Sequence, residues 1–265
     1  MAPTPRPDLD EVTVTLPGDV PLTLVKVPAG TFQMGSPATE RSRASSETLH
    51  AVTLTQDYYV AKVLVTQEQW RAVTGTTMST SCGGNGIGAS YPVSCVSWED
   101  IRGPGGFLDK LNAYLTLTEQ EGAGKFRLPT EAEWERAARG GTETRFSFGD
   151  ALASSDNCSA NAEADPYVWW CNNSNDTAHP VGTKLANPYG LFDVHGNLLE
   201  WVEDWYGSYP AGAVTDPTGP STGSDRVQRG GDFEGVLSDA RSAARGFFSS
   251  SRSISFTGFR LARTM

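Results

Sequence analysis

Four cysteines and three histidines are the side chains of this chain best suited to redox, metal or nucleophilic chemistry. The cysteines form two local pairs, Cys82 with Cys95 and Cys158 with Cys171, each separated by thirteen positions. Two disulfides that close surface loops would suit this spacing and would favour an oxidising compartment. Spacing gives no geometry, so four ordinary thiols are the alternative.

The histidines His50, His179 and His195 form no metal-binding or catalytic motif on their own. No two of them have a short ligand spacing such as H-x-x-x-H, and the chain has no nucleophile elbow, Walker loop or dinucleotide-binding glycine motif. A histidine that meets a serine or cysteine only in the folded chain stays open. The sequence therefore predicts no catalytic residues.

The stretch DVHGNLLEW, residues 193–201, suits a calcium ion. Asp193 and Glu200 offer carboxylate oxygens, and a turn at Gly196 and Asn197 can direct backbone carbonyls towards the same ion. The alternative is that Glu200 pairs with an arginine of the C-terminal segment. Either role would stabilise loops and perform no chemistry.

The formal net charge is −10, which argues against a nucleic-acid partner because binding to phosphates needs a basic surface. Residues 226–265 depart from this balance, since they hold seven arginines and three acids. We interpret these arginines as internal struts that pair with acids of the preceding chain, with a basic ligand face as the alternative.

No apolar run approaches the roughly twenty residues of a membrane span. The opening MAPTPRPDLDE also lacks the apolar segment of a signal peptide. The sequence predicts no membrane span, and the two disulfides, if formed, favour a cell-surface or exported protein.

Short helices and strands must position these residues. Helices are predicted to begin at the capping residues Thr66, Ser97 and Thr130, the first and last of them ending at Gly75 and Gly140. The GPGG stretch divides the second helix into two pieces. Behind the third cap, Trp134, Ala137 and Ala138 are predicted to face the core.

The N-terminal part has the alternation of β-strands. Residues 1–20 are predicted to form a flexible lead-in with one edge strand, and LTLVKVPAGTFQMGS a strand that turns into a hairpin at Gly30 and Gly35. HAVTLTQDYYVAKVLVT continues the β pattern, and residues 141–187 are rich in turns.

Six phrases together resemble the formylglycine-generating enzyme (sulfatase-modifying factor) family. They are VPAGTFQMGS, YPVSCVSWEDI, FRLPTEAEWERAARGG, HPVGTKLANPYGLFDVHGNLLEWVEDWY, RGGDFE and GFRLAR, and they cover about residues 22–263 in the order of the family. The resemblance implies one loop-rich α+β domain over residues 21–265, with the C-type lectin fold in its formylglycine-generating-enzyme form.

The resemblance also implies which cofactors to expect. The family's oxidation chemistry depends on a copper-binding cysteine pair shortly after the RGG phrase, whereas no cysteine follows Cys171 here. We therefore expect no copper and no enzymatic activity. The family's calcium ligands correspond to Asp193, Gly196, Leu198 and Glu200, which implies a structural calcium ion.

Residues 229–260 carry the expected binding region. Fixed phrases, RGG, RSAAR and GFRLAR, surround segments rich in serine, glycine and phenylalanine, a layout similar to bacterial variable proteins of diversity-generating retroelements. Rigid aromatics with adaptable serines are typical of binding surfaces. The expected ligand-binding residues are Asp232, Phe233, Glu234, Val236, Leu237, Asp239, Gly246, Phe247, Phe248, Ser249, Ser251, Ser253, Ser255 and Phe256.

The sequence thus predicts a monomeric, non-catalytic protein whose ligand is another protein, because such a face is broad and lacks a polar pocket. Arg229, Arg241, Arg245 and Arg260 would anchor it over Phe259 and Leu261. The alternatives are a formylglycine-generating or related oxidase and an inactive structural module of a larger assembly.

Overall fold

Three β-sheets, four short α-helices and one 3-10 helix (Leu237–Ala240) form the regular structure of the residues that the computed structural model describes, which are 10–82, 86–120, 124–151 and 156–265. The largest sheet brings the two ends of the described chain together and is antiparallel throughout. Its strands lie in the order β1 (Glu11–Leu16), β2 (Val20–Val27), β5 (Tyr58–Ala61), β12 (Ala262–Thr264) and β6 (Phe126–Arg127).

The first strand confirms the edge strand expected near the N-terminus and corrects the flexible lead-in. All six residues of β1 pair with β2, from Glu11 opposite Val25 to Leu16 opposite Val20. Val14 and Leu16 are buried, so this part of residues 1–20 belongs to the domain. Residues 1–9 lie outside the described residues.

A four-stranded sheet carries most of the C-terminal segment. Its strands lie in the order β10 (Gly246–Ser249), β9 (Asp225–Arg229), β7 (Leu199–Trp205) and β11 (Thr257–Phe259). The pair β7 and β11 is parallel and the other pairs are antiparallel. This order leaves β10 at an edge of the sheet.

The third sheet corrects the predicted hairpin. It contains β3 (Gly30–Met34), β4 (His50–Leu54) and β8 (Val214–Thr215), so β3 does not pair with β2. Arg136 explains the separation, because its guanidinium donates to the carbonyls of Pro28 (2.8 Å) and Ala29 (2.9 Å) between the two strands. A Cβ on Gly30 would lie 2.9 Å from Arg136 Nη2, so a side chain there would displace the guanidinium.

The predicted helix caps at Thr66, Ser97 and Thr130, the predicted ends at Gly75 and Gly140 and the break at GPGG are confirmed. They are α1 (Gln67–Thr74), α2 (Trp98–Arg102), α3 (Phe107–Leu117) and α4 (Glu131–Arg139). Thr66, Ser97 and Thr130 each form a reciprocal capping box, and Gly75 and Gly140 end α1 and α4 in the left-handed conformation.

Helix α4 joins the core to the site. Its residues Trp134, Ala137 and Ala138 are buried, as predicted, in a cluster with residues of all three sheets. Within the described part of the chain, α4 and β7 are connected without a further helix or a strand longer than an isolated bridge.

Both cysteine pairs are disulfide bonded, Cys82 with Cys95 and Cys158 with Cys171. Among the described residues of the two loops that these bonds close, there is no helix and no strand longer than an isolated bridge. Among the described residues, no helix is long and apolar enough to span a membrane.

Candidate functional site

Four arginines fix the backbone of the C-terminal segment, and we call Arg229, Arg241, Arg245 and Arg260 the arginine frame. Arg229, at the end of β9, is fully buried. It donates to the Glu135 carboxylate of α4, to the Ser242 carbonyl (2.9 Å) and to the Ala244 carbonyl. One side chain therefore ties a strand, a helix and a loop together.

Arg241 and Arg245 fix the stretch that leads into β10. Arg241 makes a bidentate pair with Glu47 (both 2.8 Å) and also reaches Glu40 (2.8 Å). Arg245 makes a bidentate pair with Glu131 (2.7 and 2.9 Å). Such planar pairs set orientation as well as position, so the loop between them has little freedom.

Arg260 completes the frame next to β11. Its guanidinium pairs with both oxygens of the buried Glu200 (2.7 and 2.8 Å) and donates to the carbonyls of Ala61 (3.1 Å) and Phe192 (2.9 Å). Phe259 and Leu261 are buried on either side of it, as predicted. The frame residues are internal struts, which confirms that interpretation over the basic ligand face.

Both disulfide loops also contact the C-terminal segment. The Cys171 N–H donates to the Gly235 carbonyl (3.1 Å), and the Cys95 N–H donates to the Ile254 carbonyl (3.0 Å). Each half of the predicted binding region is therefore hydrogen bonded to a covalently closed loop.

Twelve of the fourteen predicted binding residues are at least partly exposed, and we call them the display surface. Its first half lies in the loop after β9 and its second half lies on and after β10. The members are Asp232, Glu234, Val236, Asp239, Gly246, Phe247, Phe248, Ser249, Ser251, Ser253, Ser255 and Phe256.

Phe233 and Leu237 were predicted to be binding residues, and the structure contradicts both. Each is fully buried: Phe233 packs with Leu64 and Leu198, and Leu237 packs with Trp170. The loop after β9 needs apolar anchors of its own because it covers two small clusters away from the main core. These two side chains serve that need and cannot contact a ligand.

The phenylalanines are also less exposed than expected. Neighbouring residues of a strand point to opposite faces, so β10 exposes Phe247 (48%) but packs Phe248 against the main core. Phe256 is half-buried against the cluster that contains Phe233, which links the two halves of the display surface. One large exposed aromatic, not three or four, marks this surface.

Tyr206 supports the exposed ring and was missed by sequence reasoning. Its ring centroid lies 4.3 Å from that of Phe247, and the Arg245 guanidinium lies 4.6 Å from the centroid of Tyr206. The aromatic run DWYGSYP was the available signal, but nothing in it showed which ring would meet β10.

A serine–histidine pair, Ser147 with His195, does form in the fold, but both side chains are buried away from solvent. His195 Nδ1 donates to the Ala240 carbonyl (2.7 Å), and Nε2 accepts from the Ser147 hydroxyl (3.0 Å). Burial lowers the pKa of His195 to about 4, so the ring is neutral. Both residues are buried, and the pair supports the loop after β9 without access to a substrate.

Glu200, one of the four predicted calcium ligands, forms an ion pair with Arg260. Both oxygens of Glu200 are held by Arg260, and Trp134 Nε1 donates to one of them as well (2.9 Å). The guanidinium brings positive charge where the ion would have to approach. Asp193 Oδ1 is buried without a hydrogen-bond partner among the described residues.

Calcium removal is therefore expected to leave the melting temperature unchanged. The reason is that Glu200 already has a full set of partners in Arg260 and Trp134. Thermal unfolding in EGTA, compared with a calcium titration, checks this. A melting temperature that rises with calcium concentration would show a bound ion and a rearranged Glu200.

The fold and the frame define the class of protein: a loop-rich α+β domain with the C-type lectin fold in its formylglycine-generating-enzyme form. The chain belongs to the family described as sulfatase-modifying factor enzyme 1-like domain, which it matches over residues 14–265. This confirms the resemblance that the six phrases carry.

The proteins that this chain is similar to include both a named enzyme and a named variable protein. Formylglycine-generating enzyme of Thermomonospora curvata is 35% identical over 212 residues, which are 76% of this chain and 63% of the enzyme. The solved structure of Treponema denticola variable protein 1 is 29% identical, with a TM-score of 0.81 over 97% of this chain and 100% of that one.

A third comparison concerns the fold alone. PvdO from Pseudomonas aeruginosa is 23% identical and has a TM-score of 0.74 over 96% of this chain and 98% of that one.

This chain spans 63% of the Thermomonospora enzyme and 52% of the Streptomyces coelicolor one, so it matches only part of each curated enzyme.

Proposed function

We propose that this chain is a non-catalytic binding protein that presents its display surface to a protein ligand. The observation that carries this is the contrast between the surface and its support. Exposed serines and Phe247 lie on a backbone that buried arginine pairs and both disulfide loops hold in place. A rigid support lowers the entropy lost on binding, because the surface is already ordered.

The cysteines support the absence of oxidase chemistry. The family's copper site uses a pair of thiolates, soft ligands that suit a cuprous ion, whereas all four cysteines of this chain are in disulfides. Copper-dependent conversion of a cysteine to formylglycine in a sulfatase-like peptide, detected by mass spectrometry, would overturn the proposal in favour of the enzyme. An inactive structural module would show neither oxidation nor a separable ligand.

We further propose that the display surface varies between closely related genes, as in a retroelement variable protein. The overall similarity to Treponema denticola variable protein 1 supports this. Sequencing the gene from several related isolates tests it. Differences should concentrate in residues 232–239 and 246–256 and spare the arginine frame together with Phe233 and Leu237. An even scatter of differences would contradict it.

Replacing Phe247 with serine is expected to weaken ligand binding by roughly thirtyfold or more, as for a central aromatic of an interface. The free energy of unfolding should change by no more than about 1 kcal/mol, because the ring is half in solvent. Leu117→Ser is the matched control, since Leu117 is 83% exposed on a different element.

The measurement is a comparison of three immobilised proteins in cell extract. A ligand should be retained by the wild type and by Leu117→Ser but lost by Phe247→Ser. Loss on both variants would indicate non-specific apolar capture.

Light scattering on the purified chain tests the predicted monomer.

A further inference from the structure

A cavity of about 380 Å³ lies beside the display surface, in the loop that follows β7. Trp205, Tyr209 and three prolines of residues 207–220 form apolar walls. Arg245 lines it as well and connects it to the display surface, because its guanidinium also lies over Tyr206, whose ring contacts that of Phe247. A protein ligand bound to the display surface would therefore be close enough to place one of its own side chains in this cavity.

The charged groups of the cavity leave one carboxylate oxygen unused. Glu131 is satisfied, because Arg245 takes both of its oxygens and the Tyr209 hydroxyl donates to one of them (2.9 Å). Asp204 is 4% exposed, and its Oδ2 accepts from the Glu131 N–H (2.8 Å). Its Oδ1 has no hydrogen-bond partner among the described residues, although the side chain lines the cavity.

We propose that this cavity binds a primary ammonium group on an apolar stem, in particular a lysine side chain of the protein ligand. The inference rests on the proposed function, since it names one residue type that the ligand contributes. The unused Asp204 oxygen would accept from the ammonium, and the aromatic and proline walls would cover the methylene groups.

The charge balance favours a cation over an anion in this cavity. Arg245 is the one arginine or lysine among the described lining residues, and Glu131 already neutralises it. The formal net charge of −10 would also attract a basic partner, because opposite charges steer encounter.

Asp204 must ionise to hold an ammonium group, which makes binding depend on pH. Burial, together with the neighbouring carboxylates of Glu131, Glu133 and Glu203, raises its pKa to about 8. On the opposing elements it faces Arg226 of β9, while His50 and Arg245 share the cavity. The affinity for an ammonium should therefore rise roughly tenfold per pH unit below about 8.

The test uses two probes with the oxidised, full chain. Nα-acetyl-lysine methylamide carries the ammonium, and Nα-acetyl-norleucine methylamide has the same stem without it. Resonances of the Trp205 and Tyr209 rings are followed by NMR titration between pH 6 and pH 8. The lysine probe should bind saturably and more tightly at the higher pH, and the norleucine probe should not bind.

Two substitutions test whether the lysine probe binds at Asp204. Asp204→Asn should weaken lysine-probe binding tenfold or more, whereas Glu163→Gln, which removes one charge from an exposed loop, should not. Equal binding of the two probes, unchanged binding by Asp204→Asn, or affinity that falls with rising pH would each overturn the proposal. Phe247→Ser should keep the probe site, so a failure of the display surface and a failure of the cavity give different results.

Discussion

Arg260→Met is expected to lower the free energy of unfolding by about 3–5 kcal/mol, the range for breaking a buried ion pair from one side. Glu200 is fully buried, and Arg260 is its one ion-pair partner among the described residues. Without the guanidinium, the carboxylate keeps one N–H donor, Trp134 Nε1, and the carbonyls of Ala61 and Phe192 lose a donor. Urea unfolding with intact disulfides measures the change.

Two further variants show whether the loss comes from the stranded charge. Arg260→Met with Glu200→Gln should recover part of the stability, because a neutral amide costs less to bury than an unpaired carboxylate. Arg252→Met should have little effect, since Arg252 is exposed beside the Phe248 ring. Equal destabilisation of the single and double variants would assign the loss to packing instead.

Local signals explain why the helices and the arginine frame could be predicted. A capping box such as Thr130 with Glu133 is complete within four residues, and Gly140 ends the same helix by its own conformational freedom. The frame arginines were predictable for a different reason: a chain with net charge −10 supplies acids to neutralise them.

The errors at Phe233 and Leu237 have a common physical cause. Exposure in an irregular segment depends on what the rest of the chain leaves uncovered, and that is a long-range property. Phe233 fills a cluster with Leu64 and Leu198, which are distant in sequence. The hairpin at Gly30 was wrong for the same reason, because strand alternation does not identify the partner strand.

The cavity at Asp204 could not be predicted from the sequence either. Asp204 belongs to the strand pattern LEWVEDW, in which an acid usually marks a solvent-facing position. Its burial depends on the loop of residues 207–220 folding back over β7, where Gly219 approaches the Asp204 side chain so closely that an added Cβ would lie 3.0 Å from Oδ1.

Asp204→Asn is expected to stabilise the protein above neutral pH. Burial, with the nearby carboxylates of Glu131, Glu133 and Glu203, raises the pKa of Asp204 to about 8, well above that of an unfolded aspartate. The native state therefore holds a proton that the unfolded state releases. Asp204 contributes fully to stability below about pH 4 and loses that contribution as the pH rises to about 8.

The size of this stabilisation follows from the pH range, about 4 to about 8, over which the native state alone keeps the Asp204 proton. Each pH unit within it costs the native state about 1.4 kcal/mol, so asparagine should add roughly 2–4 kcal/mol at pH 8. Its carbonyl still accepts from the Glu131 N–H, and its amide faces the cavity in place of Oδ1. The gain should vanish towards pH 4, where the aspartate is protonated in the native state.

Melting curves of both proteins from pH 4 to pH 9 measure this. The wild type should lose stability between pH 6 and pH 8, and Asp204→Asn should lose much less. The pKa values of Asp193 and Asp232 are also raised, each to about 6 and each chiefly by burial, so both proteins lose stability as the pH rises from about 4 to about 6. Parallel curves above pH 6 would mean that Asp204 is ionised in the native state, and the cavity would then hold a permanent negative charge.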